Sequence, residues 1–409
     1  MQRFPRAGME RMLRLTLVLL FAASLSIAST AASSADRPAN PAHYLFVWAG
    51  DAAGQQTDFL AVIDASPGSP HYGQLLTTLA TDQQTKLVHH TEYVMPVGGI
   101  LFANDHDAGR TFLFDLRDPL HPGIAGSFTD VDGYMHPHSY LRLPDHNILA
   151  TFQHGHNGGG LVELDQQGKL LRSASAADPA HPGVFYCPYS VVVLPEIDRA
   201  LSTNSSMSVE EPTGTSYQVW RLSDLKLLKT AFFEPSPQLT AHTDPEEPRR
   251  APDGSVFVQT YSCGLQHVTE IATDNPKATL VYRFPGGACG VPTIVGHYLI
   301  EGIPNIHGII ALDIANPDKP VEVSRISFPG NYLAHWTGWD AATSRVVVTS
   351  NVEGVHRLYL VRLDQATGKL TLDETFRDQD GQPGFNFDNR KWPQGWTGSA
   401  TPHGAVFSR

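Results

Sequence analysis

The sequence predicts an all-β protein, a seven-bladed β-propeller closed by its own C-terminal strand. Three observations lead there. A β-rich segment recurs seven times between Tyr44 and Asn351 at intervals of about 42 to 56 residues, the period of propeller blades. His90, His138, Tyr189 and Glu246 each stand six residues before a proline (Pro96, Pro144, Pro195, Pro252), where the innermost strand of a blade should begin. Last, the first repeat lacks such an inner strand, and the segment His403 to Phe407 is left over to supply it.

The elements follow in chain order. Arg3, Arg6, Arg11 and Arg14 precede an apolar stretch from Leu15 to about Ala28, and small residues continue through Ala32 and Ala35. This is the layout of a secretory signal peptide, expected over residues 1–35. Its apolar core is shorter than the roughly 20 residues of a spanning helix, and no later stretch approaches that length. The expectation is a propeller over 36–409, periplasmic or secreted, with no membrane span once the leader is removed.

The second strands of the blades align as YLFVWAG (44–50), GILFAND (99–105), NILATFQ (147–153), RALSTNS (199–205), SVFVQTY (255–261), HYLIEGI (297–303) and RVVVTSN (345–351). Each is followed by a further apolar, β-branched run, such as DFLAVIDA or GIIALDIA. Runs of this kind suit strands packed on both faces. Asp118-Pro119 and Asn316-Pro317 mark turns, because proline fixes φ while Asp or Asn bonds to nearby backbone. The Gly- and Pro-rich stretch from Asp378 to Thr401 is the connector that carries the chain back to the first blade. Thirty prolines and 35 glycines fit a fold made of turns.

A net charge of −12, more negative without the basic leader, argues against nucleic acid as a partner, since phosphate binding relies on clustered Lys and Arg. Cys187, Cys263 and Cys289 allow at most one internal disulfide. Export favours one across adjacent blades, with thiolate ligation as the other reading.

The 19 histidines are sorted by blade position. Entries to inner strands are His89 or His90, His138, Tyr189, Glu246, a poorly aligned sixth near Cys289 to Pro292, His335 and His403. The loops between second and third strands, opening on the same face, contribute His106, His154, His156, Cys263 and His307. Residues distant in sequence therefore converge at one mouth of the propeller. Converging imidazoles suit copper, zinc, iron or nickel, whereas magnesium and calcium prefer oxygen. Each of these histidines also has a plain reading as a solvated loop residue. For His154-Gly155-His156 a turn is the simpler one, and Trp336, Trp339, Trp392 and Trp396 are expected to pack around the seventh blade and its connector.

DFLAVIDASPGSPHYGQLL (58–76) followed by His89-His90, then PHSYLRLPDHNILATF (137–152), IHGIIALDIANPDKP (306–320) and the late His403 resemble the selenium-binding protein and methanethiol oxidase family. The resemblance runs over nearly the whole exported chain. It implies a seven-bladed propeller and, in the methanethiol oxidase members, a copper-dependent oxidation of methanethiol by O₂ to formaldehyde, hydrogen sulfide and hydrogen peroxide. The positions matching the family's copper-associated histidines are His89, His90, His138, His307 and His403; His335 rests on the blade argument alone. Gly73 stands where selenium-linked members carry a cysteine, and Arg142 where many have a second histidine.

Two functional expectations follow. The leading one is an oxidoreductase acting on a small sulfur compound with O₂ as acceptor. Copper, or another transition metal, would be held by His89, His90, His138, His307, His335 and His403, and Glu246 and Tyr189 would move protons or orient a ligand. The other is a non-catalytic exported propeller that binds a metal ion or a protein or peptide partner. The entries hold few Asp or Asn, which argues against a calcium-dependent hydrolase.

Overall fold

The computed structural model describes residues 42–155, 157–207, 214–234, 243–351 and 353–409. The leader expected over 1–35 lies outside them, as does His156. Seven antiparallel sheets, each of four principal strands, form the blades. In six of them the strands run from the axis outward in chain order. The first blade is the exception. Its strands Tyr44–Asp51, Thr57–Asp64 and Leu75–Gln84 are completed on the inside by Ala400–Phe407, in antiparallel register from Leu45 opposite Phe407 to Asp51 opposite Ala400. The predicted closure is thus formed by backbone hydrogen bonds between the two ends of the propeller, and the ring is left without an open seam.

The inner strands, from the first blade to the seventh, are Ala400–Phe407, Val88–Thr91, Met135–Arg142, Pro188–Leu194, Pro245–Arg250, Thr293–Val295 and Ala334–Asp340. Each packs on the next, and the last returns to the first. The sixth, where the sequence alignment was poorest, is also the shortest. Beside it, Val291 pairs with Trp336 of the seventh blade through an isolated bridge.

Apolar residues on both faces of each blade meet those of its neighbours, so the core is divided into seven clusters, one per blade interface. Second strands such as Arg345–Ser350 are buried at every position, which is why they read as continuous apolar runs. Outermost strands such as Val321–Ser327 alternate between exposed and half-buried positions. Polar groups on the second strands also tie blade to blade. Thr151 Oγ1 donates to Tyr189 O (2.7 Å), Gln259 Nε2 to Cys289 O (3.0 Å) and Thr349 Oγ1 to His403 O (2.8 Å). Two of the carbonyls that receive these bonds, those of Tyr189 and His403, belong to predicted site residues.

The disulfide joins Cys263 to Cys289. It links a loop of the fifth blade to the segment entering the sixth, and Cys187 is buried apart from it. Among the described residues no helix is long and apolar enough to cross a membrane. Trp392 and Trp396 pack on Phe59 of the first blade, while Trp336 turns inward to the axis, its ring 5.2 Å from that of His90.

Candidate metal centre

Six of the seven inner strands carry a one-residue β-bulge at their entry. In the second blade Val88 pairs with Asp105 and Thr91 with Ala103, so three steps on the inner strand face two on its neighbour. The same shift occurs at His138-Ser139, Tyr189-Ser190, Glu246-Glu247, His335-Trp336 and His403-Gly404. A regular strand sends successive side chains to opposite faces, and a bulge breaks that alternation and re-aims a side chain. Consecutive residues therefore both reach the axis, as the stacked rings of His89 and His90 show, with centroids 4.2 Å apart and planes within 3°.

The rings of His89, His90, His138, His335 and His403 form one connected cluster. His138 lies 4.6 Å from His89 and 4.5 Å from His90, His403 lies 4.4 Å from His89, and His335 lies 4.8 Å from His403. His89, His90 and His138 each offer a nitrogen within 4.8 Å of the others. Gly404 permits the approach of the last strand, since a Cβ there would meet the backbone nitrogen of Thr91 at 2.6 Å. The cluster sits deeper than the mouth placement read from the sequence. His90 and His138 are 0% exposed, and the others no more than 7%.

Burial pushes all five imidazoles well below the usual histidine range, and neighbouring imidazoles add to this for His89, His90, His138 and His403. For His335 burial alone takes the value to about 4. Five neutral rings result. Each keeps a buried nitrogen with no hydrogen-bond partner: His89 Nδ1, His90 Nε2, His138 Nε2, His335 Nδ1 and His403 Nδ1. Buried polar atoms are rarely left so, because an unpaired one costs about 1–3 kcal/mol. His89, His90 and His138 bring neutral imidazole nitrogens within 4.8 Å of one another, the kind of donor set a borderline transition metal requires. The residues present fit such an ion.

Ser139 supports this arrangement. Its Oγ lies 3.1 Å from Nδ1 of His90 and 3.0 Å from Nδ1 of His138, and two hydroxyl lone pairs can accept both N–H groups. That tautomer leaves Nε2 of each ring as the free donor atom, the usual way a metal-binding histidine is oriented. Above the cluster, His106 is engaged on both nitrogens, by Asp107 Oδ1 (2.9 Å) and Gln153 Oε1 (3.1 Å).

His307 stands apart. It ends the short turn Pro304–Ile306 in a left-handed conformation, and its Nδ1 is 3.2 Å from Tyr332 O. Tyr189 does reach the axis, its ring 3.7 Å from that of His138. Glu246 is there too, hydrogen-bonded to Tyr189 and Gln259. Burial and then the neighbouring Glu247 raise the Glu246 carboxyl far above the usual range, and burial followed by Glu246 does the same to the Tyr189 phenol. Arg142 has a structural task, a two-point ion pair with Glu92 (2.6 and 3.1 Å). Gly73 adopts a φ of +90°, and a Cβ would meet Arg377 backbone at 2.5 Å, so a side chain does not fit there.

Sequence reasoning missed Glu247, Glu301, Tyr93 and Arg249. Glu247 Oε1 lies 3.7 Å from His90 Nε2, while Oε2 accepts from Tyr93 Oη (2.9 Å) and Arg249 Nη1 (2.8 Å). Tyr93 stacks on Trp336, with centroids 5.2 Å apart, and Arg249 covers its ring at 4.0 Å. Glu301 occupies the second-strand position held by Thr151, Gln259 and Thr349 in other blades. Both its oxygens are buried without partners, and burial, reinforced by Glu246, raises its pKa. The one available signal was the doubled residue: Glu246-Glu247 repeats at the fifth entry what His89-His90 does at the second.

Fold and site together define a seven-bladed propeller with a buried polyhistidine centre on its axis. No family model matches the chain. A stretch of 136 residues is 30% identical to the methanethiol oxidase of a Hyphomicrobium species, covering 31% of this chain and 31% of that protein. Against the methanethiol oxidase of Ruegeria pomeroyi, 143 residues are 27% identical, with 31% of each covered. The match thus spans about a third of the length of these relatives. Among solved structures, a hypothetical selenium-binding protein from Sulfolobus tokodaii has the same fold, with a TM-score of 0.72 over 90% of this chain and 94% of that one at 16% identity. Part of the chain is thus similar to methanethiol oxidases, and its fold is that of a selenium-binding protein.

Proposed function

We propose that the protein is a copper-dependent oxidase of a small thiol, with methanethiol, O₂ and water converted to formaldehyde, hydrogen sulfide and hydrogen peroxide. The observation that carries the reading is the set of five buried, neutral imidazoles with unpartnered nitrogens on the axis. The partial likeness to two methanethiol oxidases supports the substrate class. His89, His90 and His138 would hold the ion, with His335 and His403 beside them, and His307 has no part in it. Bound copper would supply a thiophilic centre with a one-electron couple. Ser139 orients His90 and His138 through their Nδ1 atoms. Glu247 Oε1 is the carboxylate oxygen in reach of a thiol proton, steadied by Tyr93 and Arg249. Tyr189 and Glu246, bonded to one another, form a second proton-bearing pair on the wall.

We also propose export to a periplasm or the outside. The leader-like sequence of residues 1–35 and the disulfide between Cys263 and Cys289 support it.

The test is metal analysis of protein produced with its leader in a periplasm, followed by oxygen uptake with methanethiol. The reading expects copper in the purified protein and consumption of O₂ that depends on the thiol. Copper without turnover would leave a metal-binding propeller. Protein that takes up no transition metal would remove the proposal.

A further inference from the structure

A trail of imidazoles leads outward from the metal centre to the mouth. His106 stands over the centre, its ring 5.7 Å from those of His89 and His138. Beyond it the His136 ring lies 5.7 Å from that of His106, and the His154 ring lies 4.9 Å from that of His136. Burial falls along the way: His106 is buried, His136 and His154 are half-buried, and Met135 is exposed. The outer residues belong to one blade, with Met135 and His136 opening its inner strand Met135–Arg142 and His154 ending the next strand, Ile148–His154.

Local structure turns the outer rings toward each other. Met135 is directly opposite His154 in the pairing of these strands, so their side chains share a face, and alternation would send His136 to the other one. His136 instead adopts a φ of +54°, a left-handed conformation uncommon outside glycine, and its ring comes to lie beside that of His154. Its Nδ1 donates to His106 O (3.1 Å), which fixes the tautomer and leaves the lone pair on Nε2. His106 itself is not a resting ligand. Both its ring nitrogens are engaged, by Asp107 and by Gln153 Oε1, and Gln153 is pinned in turn through Nε2 to Ser205 O (2.9 Å). The outer pair is therefore separate from the buried centre.

We propose that His136 and His154, with the thioether of Met135, form an outer copper(I) site that captures the ion at the mouth and hands it past His106 to the axis. Two imidazoles and a thioether are a soft donor set of the kind Cu(I) selects. The inner site is almost wholly buried, and an ion that lost all its water before meeting a ligand would bear the full cost of desolvation. An intermediate site replaces that water in steps. The handing-on rests on the copper centre proposed above, whereas the outer site does not.

The test begins with copper-loaded protein dialysed against a mild chelator, so that only the axial ion is kept, and titrated anaerobically with Cu(I) against a chromogenic Cu(I) chelator. One further equivalent is expected. His136→Asn, which tolerates the left-handed backbone, and His154→Gln should each weaken that equivalent by at least about tenfold and leave the axial copper in place. Met135→Leu should weaken it as well. Metal-free protein carrying either histidine substitution should fill the axial site at least about tenfold more slowly than wild type, to the same final content. An outer equivalent held as tightly by both histidine variants as by wild type overturns the site, and equal filling rates overturn the delivery. Failure of the axis to take up copper would instead count against the proposed function, and the outer equivalent would still separate wild type from the two variants.

Discussion

Glu247 Oε1 and His90 Nε2 face each other at 3.7 Å inside the propeller axis, and neither atom has a hydrogen-bond partner. A cation between or beside them would satisfy both at once. On the far side of the carboxylate, Arg249 and Tyr93 hold Oε2. Glu247 thus joins a buried ion pair to the metal centre, and its removal separates two effects.

Glu247→Leu leaves the Arg249 guanidinium buried without its carboxylate. Breaking a buried pair costs about 3–5 kcal/mol, so urea unfolding should show a loss of roughly 3 kcal/mol or more. Glu247→Gln keeps the shape and an acceptor for Tyr93. Because it keeps an acceptor for Arg249 but not the charge, it should lose less stability than Glu247→Leu, yet lose most of the thiol-dependent oxygen uptake, and unchanged turnover in that variant would exclude Glu247 from proton transfer.

His90→Ala and His138→Ala each remove one buried donor nitrogen from the three that approach within 4.8 Å. Copper affinity should fall by at least about tenfold in each variant, as even supporting residues of metal sites are worth 10–100-fold. His307→Ala should leave metal content unchanged, because that side chain bonds Tyr332 O instead. Elemental analysis after dialysis against a competing chelator distinguishes the three.

The metal-free protein should become less stable on mild acidification. Burial holds the five imidazoles below their ordinary value of about 6.5, and His335 at about 4. Between the folded and unfolded values the unfolded chain binds more protons, so stability rises with pH across that window. The contribution is complete above about pH 6.5 and is lost progressively toward pH 4. Urea midpoints measured from pH 7.5 to 4.5 should fall, and His335→Asn should flatten part of that fall.

Replacing Cys263 and Cys289 with serine opens a link between residues 26 apart in sequence. A loop of that length stabilises by about 3 kcal/mol in the chain-entropy account. Wild-type protein in reductant and the double variant should unfold at the same, lower urea concentration. Metal content should persist, since neither cysteine belongs to the histidine cluster.

Gly404→Ala would drive a Cβ into the Thr91 backbone. Overpacking of this kind costs about 1–3 kcal/mol, and here it falls on the strand that closes the ring. Both thermal stability and copper affinity should drop, because His403 and His90 are displaced together.

Much of this was legible in the chain. The blade period, the apolar second strands and the spare C-terminal strand determined a closed seven-bladed ring, because strands buried on both faces must be apolar throughout. The offset from proline also marked His90, His138, Tyr189 and Glu246, and the spare C-terminal strand brought His403, more than 300 positions from His90, to the same axis. What the sequence did not carry was which of two successive residues faces inward. Alternation along a strand is a local rule, and the bulges that override it arise from pairing with the neighbouring strand. Tertiary structure alone decided that both His89 and His90 point to the axis. It put Glu247 rather than Glu246 against His90, and it moved the site below the mouth. His307 was drawn away by the turn it terminates, and Tyr93 and Arg249 acquired their places only when seven strand ends met beneath the cluster.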